Sequence, residues 1–132
     1  MKYDINNKTF LLLQNSDSGE VDESTSFYYN QKGNLVTAEY SSGSIEYGKI
    51  IAILKEDHLD MLYQCVTKDS KLKAGQAIAN ISVNQRNKIV LKLNWQWLNE
   101  SKESGTSVYI EQENLVFSYQ MVFPKAYVNF PF

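Results

Sequence analysis

The stretch Ile89-Val90-Leu91-Lys92-Leu93-Asn94-Trp95-Gln96-Trp97 decides the fold. Ile89, Leu91, Leu93, Trp95 and Trp97 form one row, and Val90, Lys92, Asn94 and Gln96 form the other. Successive side chains of a β-strand point to opposite faces, so a period of two marks a strand with one face in a core and one toward water. Working outward, about eight runs of this kind recur, over residues 8–14, 25–31, 35–40, 45–54, 59–66, 73–83, 88–98 and 105–113. Turn chemistry separates them, as in Asn15-Ser16-Asp17-Ser18-Gly19, Lys32-Gly33-Asn34 and Ser41-Ser42-Gly43-Ser44. No window holds helical spacing for long, and β-branched and aromatic residues dominate. The expectation is an all-β chain: a single antiparallel up-and-down β-barrel of about eight to ten strands, spanning residues 1–132 as one domain.

Two strands can be registered from their side chains. The sixth run should face inward with Gly75, Ala77, Ala79, Ile81 and Val83, and the seventh with the row from Ile89 to Trp97. A slip of one residue would turn an entire row to water, so inward residues must pair with inward residues. Gly75 and Ala77 then lie across from the end that carries the two tryptophans, which is how small residues make room for large ones in a narrow barrel. Gly48, inside the fourth run, suggests a bulge or bend that curls the sheet.

Composition limits the partners. The chain has 132 residues, 13 basic and 15 acidic, and a formal net charge of −2. That size supports one domain with a real core. The scattered lysines argue against a nucleic-acid surface and against an anionic membrane surface. No apolar run is long enough for a membrane helix, and the N-terminus does not read as a signal peptide. The single cysteine, Cys65, excludes an internal disulfide and fits a reducing, cytoplasmic setting.

Candidate chemistry is sparse. His58, in Glu56-Asp57-His58-Leu59-Asp60, could act as a base or share a metal with Asp57 and Asp60, but a lone imidazole between local carboxylates reads better as an exposed turn residue. Cys65 could be a nucleophile, yet it follows Met61 and Tyr63 at period two and reads as a small buried hydrophobe. Ser104-Gly105-Thr106-Ser107 lacks the spacing of a nucleophile elbow and reads as a loop entering a strand. Glu20, Asp22 and Glu23 lack the spacing of a calcium loop and read as a solvated connection. No catalytic residue, metal site or cofactor is expected.

The aromatic residues carry more. Tyr29, Tyr40, Tyr47 and Tyr63 are expected to point inward and, with Trp95 and Trp97, to line one end of the barrel. Buried tyrosines join an apolar ring to a hydroxyl that needs a partner, so such a lining suits a small apolar or aromatic ligand. The same rings could instead fill the interior. Residues 115–132 carry one charge and six aromatics. Left loose they would invite aggregation, so they should be covered. Residues 115–123 read as a further strand closing the barrel beside the first. The remainder, from Pro124, reads as a cap over a barrel end or an arm onto a second copy.

Several motifs, in order, resemble a known family. They are Gly19-Glu20-Val21, Thr25-x-Phe27-x-Tyr29-x-Gln31, Gly43-x-Ile45, Leu59-x-Met61-x-Tyr63-Gln64, Gly75, Trp95-Gln96-Trp97 and Ser104-Gly105-Thr106-Ser107. Together they look like small bacterial calycin-like β-barrel proteins, related in shape to lipocalins and avidins and often labelled N-acetylglutamate synthase. The resemblance covers roughly residues 3–113 and implies a ligand-binding barrel. Asn94 departs from the family's pattern, which usually has a glutamate just before the tryptophan pair. Acetyl transfer from coenzyme A normally rests on backbone amides at a Gly-rich turn opening a helix, and this chain has no such turn. Three functions therefore stand in order: a non-enzymatic binder of a small apolar or aromatic molecule, a solid barrel acting through self-association or protein contacts, and an enzyme.

Overall fold

The computed structural model describes residues 3–15, 25–99 and 102–112. Eight strands follow one another: β1 (Lys8–Asn15), β2 (Ser26–Lys32), β3 (Leu35–Ser41), β4 (Ile45–Lys55), β5 (His58–Thr67), β6 (Leu72–Val83), β7 (Ile89–Trp97) and β8 (Ser104–Glu111). Each pairs antiparallel with the next, and β8 returns to pair with β1, so the barrel is closed. Among the described residues there is no α-helix, and none that is long and apolar enough to cross a membrane. The period of two survives in the packing. Along β7 the residues from Ile89 to Trp97 alternate between buried and more exposed, with all five of the expected row buried.

The β1–β8 pairing closes the barrel. Phe10 pairs with Glu111 and Leu12 with Tyr109, while the other edge of β1 pairs with β2. Both edges of β1 are thus taken by described strands; the further strand expected over residues 115–123 lies outside the described residues. Residues 115–132 themselves lie outside the described residues, as do Glu20, Asp22 and Glu23.

Tight turns set the registers. Lys32 pairs with Leu35 across a two-residue connection in which Gly33 takes a φ of 63°, a conformation that costs glycine least. Asn84 organises the β6–β7 turn: its side-chain carbonyl accepts the N–H groups of Arg86 at 2.9 Å and Lys88 at 3.0 Å. From there β6 and β7 pair in the expected parity, Ile81 with Leu91, Ala79 with Leu93, Ala77 with Trp95 and Gly75 with Trp97.

The bulge is not where Gly48 suggested. The β4–β5 ladder shifts register between Ile45 and Tyr47, with Ile45 opposite Thr67 and Tyr47 opposite Val66. One extra residue on β4 reverses the parity of what precedes it. Ile45 and Gly48 both face inward, and Tyr47 is 47% exposed on the outside. The expectation that Tyr47 points into the barrel is thus overturned.

One end of the barrel is packed solid. Residues 3–7 cross it before β1 begins, and Ile5 is fully buried there. The Ile5 N–H donates to Gln31 Oε1 at 2.8 Å, and the Gln31 N–H donates to Asn6 Oδ1 at 2.8 Å. Behind this plug Phe10 meets Tyr29 edge to face, with centroids 5.2 Å apart. Glu111 joins the strands at the same end. Its carboxylate accepts the Ile89 N–H at 3.0 Å and pairs with Lys8 at 3.0 Å.

Candidate functional site

The opposite end, where β7 ends and β8 begins, encloses a cavity of about 50 Å³. Its rings are Phe27, Tyr40, Tyr63, Trp95, Trp97 and Tyr109, with Ile45, Ile50, Leu93 and Ser107 between them. Inward alternation on five strands delivers these rings to one end. Phe27 packs against Tyr40 at 4.6 Å and edge-on to Tyr109 at 4.8 Å. Tyr63 stands edge-on to Trp97 at 5.4 Å, and the two indoles lie 6.5 Å apart. Lys73 places its ammonium 5.3 Å from the centre of the Trp97 ring.

Glycines let two of the rings lie flat along the wall. Tyr40 pairs with Gly48 and Tyr63 with Gly75. A Cβ added at Gly48 would fall within the Tyr40 ring, and one at Gly75 within the Tyr63 ring. Each tyrosine covers the glycine opposite it, a cross-strand arrangement that repairs the weak point a glycine leaves in a strand. The room at Gly75 is therefore used by Tyr63 of β5 rather than by the Trp97 indole across from it on β7.

Polar groups in the cavity are hydroxyls and one indole N–H. Trp95 donates from Nε1 to Ser107 Oγ at 2.8 Å, a fully buried bond. Ser107 also hydrogen-bonds the Tyr109 hydroxyl. Burial pushes Tyr109 up to about 12, with the Ser107 bond offsetting part of the rise. Burial also raises Tyr40 and Tyr63 well above an ordinary phenol, reinforced by Cys65 and by neighbouring tyrosines. At neutral pH these groups remain protonated and can donate. Neither the Tyr40 nor the Tyr63 hydroxyl makes a hydrogen bond within the described residues.

Of the six residues expected to line the site, four do so: Tyr40, Tyr63, Trp95 and Trp97. Tyr29 faces inward but is buried in the solid half against Phe10. Tyr47 lies outside the wall, its hydroxyl donating to Glu39 at 3.2 Å. Phe27, Ser107 and Tyr109 also line the cavity and were not among the residues expected there. The signal was present, since Phe27 alternates with Tyr29 and Ser107 with Tyr109, but the serine motif read as a loop.

The other candidates fall elsewhere. His58 begins β5 at the plugged end, 3.5 Å from both Asp57 and Asp60. Lys55 also holds Asp60, at 2.6 Å, so this is an ion-pair cluster at the surface. Among the described residues no group of three or more His, Cys, Asp or Glu side chains could hold a metal ion. Cys65 is buried, as its spacing implied.

A closed eight-stranded up-and-down barrel with a small aromatic cavity at one end defines the class of calycin-like β-barrels. The chain is a member of the avidin-like protein family, whose model matches residues 3–112. No curated protein and no solved structure shows a significant match to it.

Proposed function

We propose that the protein binds a small, uncharged, apolar or aromatic molecule at the open end of the barrel and that it is not an enzyme. The observation that carries this reading is the composition of the cavity: six rings, three of them bearing hydroxyls, and no carboxylate, imidazole or amine among the lining residues. An ionic group would lose its hydration there without a partner, so the part of the ligand that enters is neutral. Phenols held above their ordinary titration range offer hydrogen bonds but are poor general bases at neutral pH. Membership of the avidin-like family supports ligand binding in a general way.

Volume limits the ligand. Pockets for drug-sized molecules hold about 300–1,000 Å³, whereas this cavity holds about 50 Å³. Only a few non-hydrogen atoms fit between the rings as they stand. Tyr63 is the one half-buried ring of the six. Native mass spectrometry of the full chain, purified gently from its own cells, tests the reading. The wild type should carry a small adduct and Ile50→Phe, which fills the cavity, should not. Absence of an adduct on both proteins would return the barrel to the second reading.

That second reading is a packed barrel acting through contacts with proteins or with its own copies, and the same small volume favours it. An acetyltransferase, as the resemblance implies, ranks last. Transfer from coenzyme A would need a pyrophosphate cradle, which neither the sequence nor the eight strands offer. A cytoplasmic setting is part of the proposal and rests on the lone reduced cysteine.

A further inference from the structure

The hydrogen-bonding groups of the cavity are unbalanced toward donation. Alternation along β8 turns both Ser107 and Tyr109 inward, and Trp95 reaches Ser107 from β7. The indole N–H donates to Ser107 Oγ at 2.8 Å, and a serine hydroxyl has a single hydrogen to pass on. Its bond to Tyr109 lowers the titration range of that phenol, which is the effect of a hydrogen bond donated to the phenol oxygen. Donation therefore runs from Trp95 to Ser107 to Tyr109, and the Tyr109 hydrogen is left over. It meets no acceptor among the described residues.

Tyr40 supplies a second donor of the same kind. Its hydroxyl also meets no acceptor among the described residues, and its ring lies over Gly48, which fixes where that hydroxyl sits. Tyr40 is only 6% exposed and Tyr109 only 5%. Both rings pack on Phe27, and Tyr109 acts electrostatically on Tyr40 across the cavity they share. Acceptors are scarce there. The lining holds no carboxylate, amide or imidazole side chain, Ser107 Oγ is engaged by Trp95, and the strand carbonyls are turned along the ladders of a closed barrel. A phenol oxygen shares its lone pair with the ring and accepts weakly. Buried donors without acceptors are costly and rare. Water is a poor remedy, because it brings two hydrogens of its own.

We propose, resting on the ligand-binding reading above, that the cavity selects a small ketone or aldehyde whose oxygen accepts hydrogen bonds from Tyr40 and Tyr109. A carbonyl oxygen has two lone pairs and no hydrogen, so it satisfies both donors and demands nothing in return. Its alkyl flanks lie among the rings. An amide or urea would bury N–H groups without acceptors, and a hydrocarbon would leave both phenols unpaired. Selection by polar groups left unpaired is sharper than selection by size.

Both tryptophans of the chain stand in the cavity wall, so their indole N–H resonances report occupancy. The full chain is titrated with acetone, acetamide and isobutene, three probes of nearly the same size and shape. Acetone should shift these signals saturably, and acetamide should bind roughly tenfold more weakly or worse. In the Tyr40→Phe, Tyr109→Phe double variant, acetone affinity should fall by roughly tenfold. Isobutene, which makes no hydrogen bond, should bind the variant no worse than the wild type, and its binding shows that the variant's cavity is intact. Equal acetone affinity in the two proteins would overturn the carbonyl assignment while leaving an apolar binding site in place. Equal affinity of the wild type for acetone and acetamide would do the same. If the double variant loses isobutene as well, Tyr40→Phe alone decides, since the Tyr40 hydroxyl holds no partner in the described barrel. Weaker acetone with unchanged isobutene sustains the assignment, and unchanged acetone refutes it. No shift with any of the three probes would overturn both this assignment and the ligand-binding reading beneath it.

Discussion

Tyr63 and Gly75 face each other across the β5–β6 ladder, and the tyrosine ring occupies the space in which a side chain on the glycine would lie. The contact is specific to the pair, so it can be measured as a coupling. Gly75→Val should destabilise the fold by about 1–3 kcal/mol through overpacking. In a Tyr63→Leu background the same change should cost clearly less, because the obstructing ring is gone. Urea denaturation of the four proteins of the cycle gives the answer; equal costs in both backgrounds would place the clash elsewhere.

Ala77 pairs with Trp95 in the middle of the same wall, and both are buried. Ala77→Leu adds three carbons beside an indole that is held by a hydrogen bond. A loss of about 1–3 kcal/mol is expected, together with a shift in tryptophan emission. An unchanged melt would mean that the interior at this level is looser than its packing implies.

Ser107 accepts the Trp95 indole N–H in a buried setting. Ser107→Ala leaves that donor without its partner, at a cost of about 1–3 kcal/mol. Ser107→Thr keeps the acceptor and should recover part of the loss. Calorimetry compares the two, and equal losses would assign the effect to packing alone.

Glu111 governs the acid limb of stability. Burial alone would raise its carboxyl, but the Ile89 N–H and the ammonium groups of Lys8 and Lys88 outweigh that and hold it below the ordinary carboxylate range. A depressed folded value means the native state binds the proton less readily than the unfolded chain. The stabilisation is therefore present above the unfolded value of about 4.3 and fades as pH falls through the folded one. Glu111→Gln should lower stability at neutral pH by about 1 kcal/mol and narrow its gap from the wild type as the solution is acidified. A constant gap from neutral to acid pH would refute the assignment.

Tyrosines govern the alkaline limb. Tyr29, Tyr40, Tyr63 and Tyr109 are all raised, chiefly by burial. Their folded forms favour the neutral phenol, so their contribution is complete below the unfolded value of about 10 and declines as pH rises beyond it. Absorbance titration should show these four buried phenols ionising together as the barrel unfolds. Smooth ionisation of every tyrosine near 10 with the fold intact would contradict the packing described.

Strand order, parity and the β6–β7 register were legible because they follow from short-range alternation and from the cost of turning a core row into water. The row from Ile89 to Trp97 and the small residues opposite it stand as expected. Tyr47 did not follow, because a single extra residue near Ile45 reverses the face, and composition does not announce where a wall must bulge. Tyr29 obeyed its alternation yet missed the cavity, since height along the barrel depends on the stagger between strands and not on any one strand's pattern.

Residue chemistry along the chain was thus enough to specify eight amphipathic strands, their inward rows and an aromatic interior, all of which arise from neighbours a few positions apart. Which end stays open, how little space remains there, and that Tyr63 rather than Trp97 fills the gap at Gly75 emerged only once eight strands closed on one another. Those outcomes depend on shear, on the plug around Ile5 and on rings contributed from five strands, and such long-range packing leaves no periodic trace in any single segment.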